Sequence, residues 1–200
     1  MALSTYAELQ TAIADTLNRD DLTATIPTFI RLAEASLNRD VEHWKREKRA
    51  TVTADSRYTE LPSDFHAPIM LHVGGQADPL QPASQNEMMR KRAKYDVANT
   101  PRFYALTGGE IELYPTPSEA VTLEMSYKAD IPALSDDAPA NWVLDAFPDA
   151  YLYGALIHTA PYLHEDQRTT TWAALYQSTI DGVRAEGWSA RQGGRLVIRG

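Results

Sequence analysis

Five histidines are the side chains best suited to acid–base chemistry, and only His164 belongs to a compact cluster with two carboxylates in the sequence. Glu165 and Asp166 follow it, so the three could serve a small hydrolase if the fold brought a further carboxylate to them in a concave pocket. The same order is typical of an exposed turn that leads into a helix, because carboxylates are favoured at helix starts. We favour the turn. No two histidines stand one helical turn apart, and the pattern H-E-x-x-H does not occur.

Other catalytic signatures do not occur in the sequence. The chain has no cysteine, which excludes disulfides, thiolate zinc sites and a cysteine nucleophile. It also lacks the nucleophile elbow G-x-S-x-G, the P-loop and the dinucleotide motif G-x-G-x-x-G. The adjacent carboxylates at Asp20-Asp21 and Asp136-Asp137 stand where a loop or a helix cap already explains them. The sequence therefore predicts no enzyme, no metal and no cofactor.

Two basic clusters could contact phosphates or an acidic partner. The alternative is that they are the solvated ends of helices, where cations oppose the helix dipole. We favour solvated ends, because both clusters follow helical apolar stripes and the formal net charge is −8. That charge also argues against nucleic-acid binding as the main function. The clusters are Lys45, Arg46, Lys48 and Arg49, and Arg90, Lys91, Arg92 and Lys94.

The composition is that of a soluble globular chain. With 200 residues, 44% hydrophobic and 23% charged, the chain is long enough to bury a core without covalent staples. The start of the sequence has neither the basic nor the apolar stretch of a signal peptide. No apolar run approaches the roughly 18–20 residues needed to span a membrane.

Helical patterns stand at both ends of the sequence. Thr5 and Glu8 form a capping box before one apolar stripe, and a second stripe runs from Ile26 to Trp44. After residue 132, Asp136 or Asp137 could cap a further helix. A last helix is predicted from Asp166, with the chain loosening after Gly187.

Between the helical ends the pattern has a period of two residues, which predicts strands. A β-hairpin is expected around Thr107-Gly108-Gly109, and a short helix begins with a capping box of Ser84 and Glu87. We therefore predict an α+β fold, in which a helical bundle from the N- and C-terminal helices carries an inserted antiparallel β-rich region. The predicted domains are 1–48 with 136–188 for the bundle, 49–135 for the insertion with its short helix, and 189–200 for a tail.

The predicted tail contains the β-prone triplet Leu196-Val197-Ile198, preceded by Gly193-Gly194 and flanked by Arg195 and Arg199. It could form an edge strand of the protein's own sheet, or it could be donated to a neighbour as an added strand. The sequence leaves both alternatives open.

Several stretches together resemble the head-to-tail adaptor (connector) proteins of tailed bacteriophages, particularly of short-tailed phages. They are TYAELQTAIADTLNRDDLTATIPTFIRLAEASLNRD, YTELPSDF, PRFYALTGGEIELYPTP and IPALSDDAPANWVLDAFPDAYLYGALIHTAPYL, and they are spread over nearly the whole chain. The resemblance implies a structural, non-enzymatic virion protein at the head–tail junction, made in the cytoplasm of the bacterial host. It implies a ring, taken as twelve copies, with the portal protein above and a tail or nozzle protein below. Genomic DNA would pass through the channel without sequence-specific binding.

The resemblance also suggests where partners would bind. In such adaptors the C-terminal segment reaches toward the portal, so Arg195, Leu196, Val197, Ile198 and Arg199 are the expected portal-docking residues. Aromatic side chains are common anchors of protein interfaces, and we expect subunit contacts at Tyr151, Tyr153, Tyr162 and Trp188; the alternative is that most of these fill the bundle core. Two other functions stay open, another neck or tail component such as a nozzle or completion protein, and a small hydrolase that uses His164.

Overall fold

The computed structural model describes residues 3–163 and 167–191 and confirms an α+β fold, with helices at both ends and a β-rich region between them. Short 3₁₀ turns lie at Asp20–Thr25, Trp44–Arg46 and Ala160–Tyr162. The α-helices are α1 (Tyr6–Leu17), α2 (Ile26–Asp40), α3 (Gln85–Lys94), α4 (Trp142–Ala146), α5 (Pro148–Ile157) and α6 (Arg168–Arg191).

Seven strands form two sheets within the described residues. The strands are β1 (Glu47–Ala54), β2 (Tyr58–Glu60), β3 (Phe65–Val73), β4 (Gln81–Pro82), β5 (Phe103–Thr107), β6 (Glu110–Tyr114) and β7 (Val121–Ala129). One sheet has the antiparallel order β1-β7-β3, and the other has the order β2-β6-β5-β4 with the last pair parallel. The predicted hairpin joins β5 to β6, where Gly108 has a φ of +64° that favours glycine.

The chain forms two compact units, a helical unit built from the chain up to Arg46 and from Ile131 onward, and a β-rich unit of Glu47–Asp130. Each unit has its own apolar core. That the units are separate domains, with a docking tail at 189–200, stays a prediction, and residues 192–200 lie outside the described part of the chain.

The core of the helical unit follows the apolar stripes of its helices. The capping box of α1 is confirmed, because Thr5 Oγ1 accepts from the Glu8 amide at 3.2 Å and Glu8 Oε2 accepts from the Thr5 amide at 3.0 Å. Pro27 occupies the first turn of α2, where a missing amide hydrogen costs nothing. The buried apolar side chains of the unit include Leu9, Ile13, Phe29, Ile30, Ala33, Leu37, Leu156, Trp172, Ile180 and Val183.

Three local predictions are wrong. Asn141, and not Asp136 or Asp137, caps α4, because its Oδ1 accepts from two amides of the first turn. Helix α6 continues past Gly187 to Arg191. Helix α2 ends at Asp40, so Trp44 lies on a 3₁₀ turn with an exposed ring instead of completing the apolar stripe.

Strand β7 lies between β1 and β3 in its sheet. One of its two faces is buried in the core of the β-rich unit. Leu123, Met125 and Tyr127 point into its core, while Glu124 points outward. A separate small cluster anchors α3, where Met88 is fully buried with Ala105 and Tyr114. Ser84 caps this helix, since its Oγ accepts from the Glu87 amide at 3.3 Å, which is one half of the predicted capping box; the Glu87 carboxylate pairs with Lys91.

Candidate interaction surface

The four aromatic residues predicted at subunit contacts lie in different environments. Tyr151 is fully buried and accepts a 2.6 Å hydrogen bond from Asn141 Nδ2, which fits the alternative that it fills the core. Tyr153 is half-buried against the same core. The ring of Tyr162 is 46% exposed and meets Phe29 edge-on, and Trp188 is 65% exposed on α6. Subunit contacts through these four residues stay a prediction.

Two predicted sites lie outside the described residues. The portal-docking residues Arg195 to Arg199 and the group His164-Glu165-Asp166 both fall there. Within the described residues, no three of the His, Asp and Glu side chains are grouped as a metal site would require. His66 has a single carboxylate partner, Asp130, at 2.8 Å, and both side chains are exposed.

His43 is the least exposed of the described histidines. Its ring stacks on Trp142 at a centroid distance of 5.2 Å, and its Nδ1 accepts a hydrogen bond from the Lys45 amide at 3.2 Å. Its Nε2 has no hydrogen-bond partner within the described residues and lies 3.7 Å from Glu186 Oε1. Burial lowers the pKa of His43, although the Glu186 carboxylate opposes that shift. The folded state therefore favours the neutral form of the His43 ring. This ring packs the 3₁₀ turn against α6.

The first basic cluster contains a buried structural arginine. Arg46 is 2% exposed, and its Nη1 donates to the carbonyl oxygens of Asn38 and Val41, both at 2.9 Å. These bonds satisfy acceptors at the end of α2, where carbonyl groups lack helical partners. Lys48 forms an ion pair with Asp64. For Arg46, both the phosphate-contact and the solvated-end interpretations are wrong.

The second basic cluster also has an inward member. Arg92 Nε donates to Glu112 Oε1 at 3.2 Å, and Arg92 also donates to the carbonyl oxygen of Leu113. Glu112 is buried, and its Oε1 also forms an ion pair with Arg57 Nη2 at 2.7 Å. The guanidinium of Arg92 is therefore a structural cation of the β-rich unit. The solvated-end interpretation is wrong for this residue as well.

Polar side chains of α2 hold the segment with which the chain re-enters the helical unit. Asn38 Oδ1 accepts from the Ile131 amide at 2.8 Å, and Glu34 Oε1 accepts from the Leu134 amide at 2.6 Å. Burial raises the pKa of Glu34, while the bond from Leu134 opposes this shift. Sequence reasoning missed these residues. The only indication of their role in the sequence was that polar residues occur on an otherwise apolar helical face.

The outer face of α3 and the loop after it expose three large apolar side chains. Met89 is 65%, Tyr95 57% and Val97 53% exposed. The cations Arg90 and Lys94 accompany them, and within the described part of the chain neither forms an ion pair. This outer α3 face, Met89, Arg90, Ala93, Lys94 and Val97, is therefore both apolar and cationic.

One segment of the helical unit carries the opposite charge. From Ile131 to Ala150 the sequence contains Asp136, Asp137, Asp145 and Asp149 and no lysine or arginine. All four carboxylates are exposed, and Asp149 accepts a hydrogen bond from Thr179 at 2.8 Å. Small apolar residues, Ala138, Pro139 and Ala140, lie exposed between the first and second pair. We call this segment, residues 136–149, the acidic segment.

No helix in the described residues is both long and apolar enough to cross a membrane. The protein-family comparison matches a model described as SU10 adaptor protein over residues 4–199, which takes in both units. No curated protein matches the chain.

Proposed function

The chain belongs to the SU10 adaptor protein family, a structural phage family, and on that premise we propose that it forms a ring joining the capsid portal to the tail. In this proposal twelve copies surround a channel through which genomic DNA passes. The portal protein lies above the ring, and a tail or nozzle protein of the short-tailed type lies below it. The adaptor acts at the head–tail junction of the virion and does not turn over a substrate.

The observation that carries this proposal is the extent of the family match. It covers residues 4–199 and so includes both the helical and the β-rich unit. A bridging protein needs separate surfaces for its own copies, for the portal and for the tail. Two compact units with different exposed chemistry, one with an acidic segment and one with an apolar and cationic helix face, can supply such surfaces.

Mass measurement of the purified protein, with and without purified portal rings, tests the proposal. We expect a complex that contains several copies of the chain for each portal ring. A truncated chain that ends at Gly194 lacks the proposed portal-docking residues Arg195 to Arg199 and should bind portal more weakly.

Two outcomes would change this conclusion. A full-length chain that binds tail proteins but never portal would instead be another neck component. Equal portal binding by the full-length and truncated chains would transfer the docking role to the helical unit.

A further inference from the structure

Helix α3 follows the usual pattern of a surface helix only in part, although it buries Met88. Its inner face also carries charge, because Arg92 is enclosed beside Glu112 and the Lys91 ammonium lies 3.7 Å from the centroid of the Phe103 ring. Its outer face carries Met89, more than half exposed, beside the cations Arg90 and Lys94. A helix that only covered the sheet would not leave a large apolar side chain such as Met89 in solvent.

The rotation of α3 about its own axis, which leaves Met89 exposed, has a local cause. Fully buried Met88 and the hydrogen bond from Tyr114 Oη to the Tyr95 carbonyl, 2.6 Å long, fix the rotation of the helix. Met89, one residue later, must then point about 100° away from Met88. More than half of the surface of Met89 and of Val97 is exposed, and grouped exposed apolar residues mark interaction sites.

We propose that the outer α3 face of one copy binds the acidic segment of the neighbouring copy. This inference rests on the proposed ring and names the surfaces that would close it. A ring needs two different, mutually complementary surfaces on each chain. The outer α3 face supplies Arg90 and Lys94 beside exposed apolar side chains, and the acidic segment supplies four exposed carboxylates with small apolar residues between them in sequence.

The chemistry of the face favours a protein surface over DNA. DNA affinity grows with the number of phosphates that lysine and arginine neutralise, and this face offers only Arg90 and Lys94. Exposed Met89 and Val97 would gain little from a phosphate backbone, whereas they can pack against alanine and proline of a neighbour.

A charge-exchange experiment tests the contact on the full chain. Neither R90E/K94E nor D136K/D137K removes an ion pair or side-chain hydrogen bond with another side chain, so both should fold; circular dichroism checks this. Each variant alone places like charges opposite each other and should self-associate at least about tenfold more weakly than the wild type. In a mixture of the two variants, the reversed face of R90E/K94E can bind the reversed segment of D136K/D137K. The wild-type face of D136K/D137K can in turn bind the wild-type segment of R90E/K94E. Self-association should therefore return in the mixture.

D15K/E119K is the matched control, because it makes the same change in net charge as D136K/D137K at two exposed carboxylates on other elements. It should associate as the wild type does. If R90E/K94E assembles normally, or if the mixture does not recover, the contact is not the one proposed. Weaker DNA retention by R90E/K94E with unchanged self-association would assign the face to DNA.

Thiol cross-linking covers the case in which association is weak. Since the chain has no cysteine, M89C and D137C introduce the only thiols of a double variant. A short bis-maleimide should link copies into a ladder, while either single variant should give at most linked dimers. No ladder at any concentration, with or without portal rings, would overturn this inference.

The portal-binding measurement is independent of this test. Portal binding without a ladder defeats the surface assignment alone. A ladder without portal binding defeats the proposed adaptor position alone.

Discussion

Gly187 and Gly182 lie on the same helix and offer a matched test of how closely α6 packs against the turn after α2. A Cβ atom built on Gly187 would lie 2.8 Å from the Glu42 carbonyl oxygen and 3.1 Å from the Cα of His43. Both of these are backbone atoms, so the movement of a flexible side chain cannot relieve the overlap. A Cβ on Gly182 meets nothing within 4 Å.

The expected magnitudes follow from two opposing effects. Alanine is favoured over glycine within a helix by about 1 kcal/mol, so Gly182→Ala should raise the free energy of unfolding by about that amount. At Gly187 the same gain competes with overpacking, which costs about 1–3 kcal/mol. Gly187→Ala should therefore lower the free energy of unfolding by about 1 kcal/mol. The gap between the two variants is then about 2 kcal/mol, or about 4–8 °C in melting temperature for a chain of this size.

Tryptophan fluorescence during urea unfolding is the appropriate assay. All four tryptophans, Trp44, Trp142, Trp172 and Trp188, belong to the helical unit, so the signal follows that unit without the β-rich one. Far-ultraviolet circular dichroism of the same samples shows whether the transition is a single step. Equal stabilities for the two alanine variants, or a more stable Gly187→Ala, would refute the close contact between α6 and the turn.

Three further predictions concern buried polar groups. Asn38→Ala should lower the free energy of unfolding by about 1–3 kcal/mol, since the Ile131 amide and Arg46 lose an acceptor; tryptophan fluorescence in urea measures the loss. Glu112→Leu should cost about 3–5 kcal/mol, because two arginines lose their buried carboxylate, and near-ultraviolet circular dichroism of the tyrosines should show an earlier transition. Burial lowers the pKa of His43, so the unfolded state binds more protons and stability falls as pH drops below about 6.5. Melting temperatures at pH 7.5 and pH 5 should therefore differ less for His43→Phe than for the wild type, and an unchanged difference would contradict this reasoning.

Local signals in the sequence predicted the starts of α1 and α3. The caps at Thr5 and Ser84 each depend only on a residue three positions later, so a short stretch of sequence is enough to predict them. The change from helical to alternating patterns likewise located the β-rich region between the helical ends. Both features depend on neighbours in sequence, and the α+β fold followed from them.

Side-chain contacts that no spacing rule predicts account for the errors. Arg46 and Arg92 resembled solvated cations because their acceptors are backbone carbonyls and a carboxylate that no spacing rule connects to them. Asn141 caps α4, and its amide also donates to Tyr151, so an interior partner helps to fix its position. Charge and helical position alone cannot distinguish a buried arginine from a solvated one.

The candidate interaction surface was only half visible in the sequence. The cluster from Arg90 to Lys94 was evident, but the rotation of α3 decides which cations face solvent. That rotation depends on the packing of Met88 against Ala105 and Tyr114, which come later in the chain. The sequence therefore indicated a basic helix, and the structure adds that its outer face combines two cations with exposed Met89.

The insertion of one unit within the other has a consequence for synthesis on the ribosome. At about 5–20 residues per second, α1 and α2 emerge several seconds before α5 and α6 exist to cover them. The β-rich unit, continuous from Glu47 to Asp130, can close as soon as its last strand has emerged. The first helices to leave the ribosome are thus among the last to reach their final packing. Their apolar faces are where we expect the host's chaperones to bind the nascent chain.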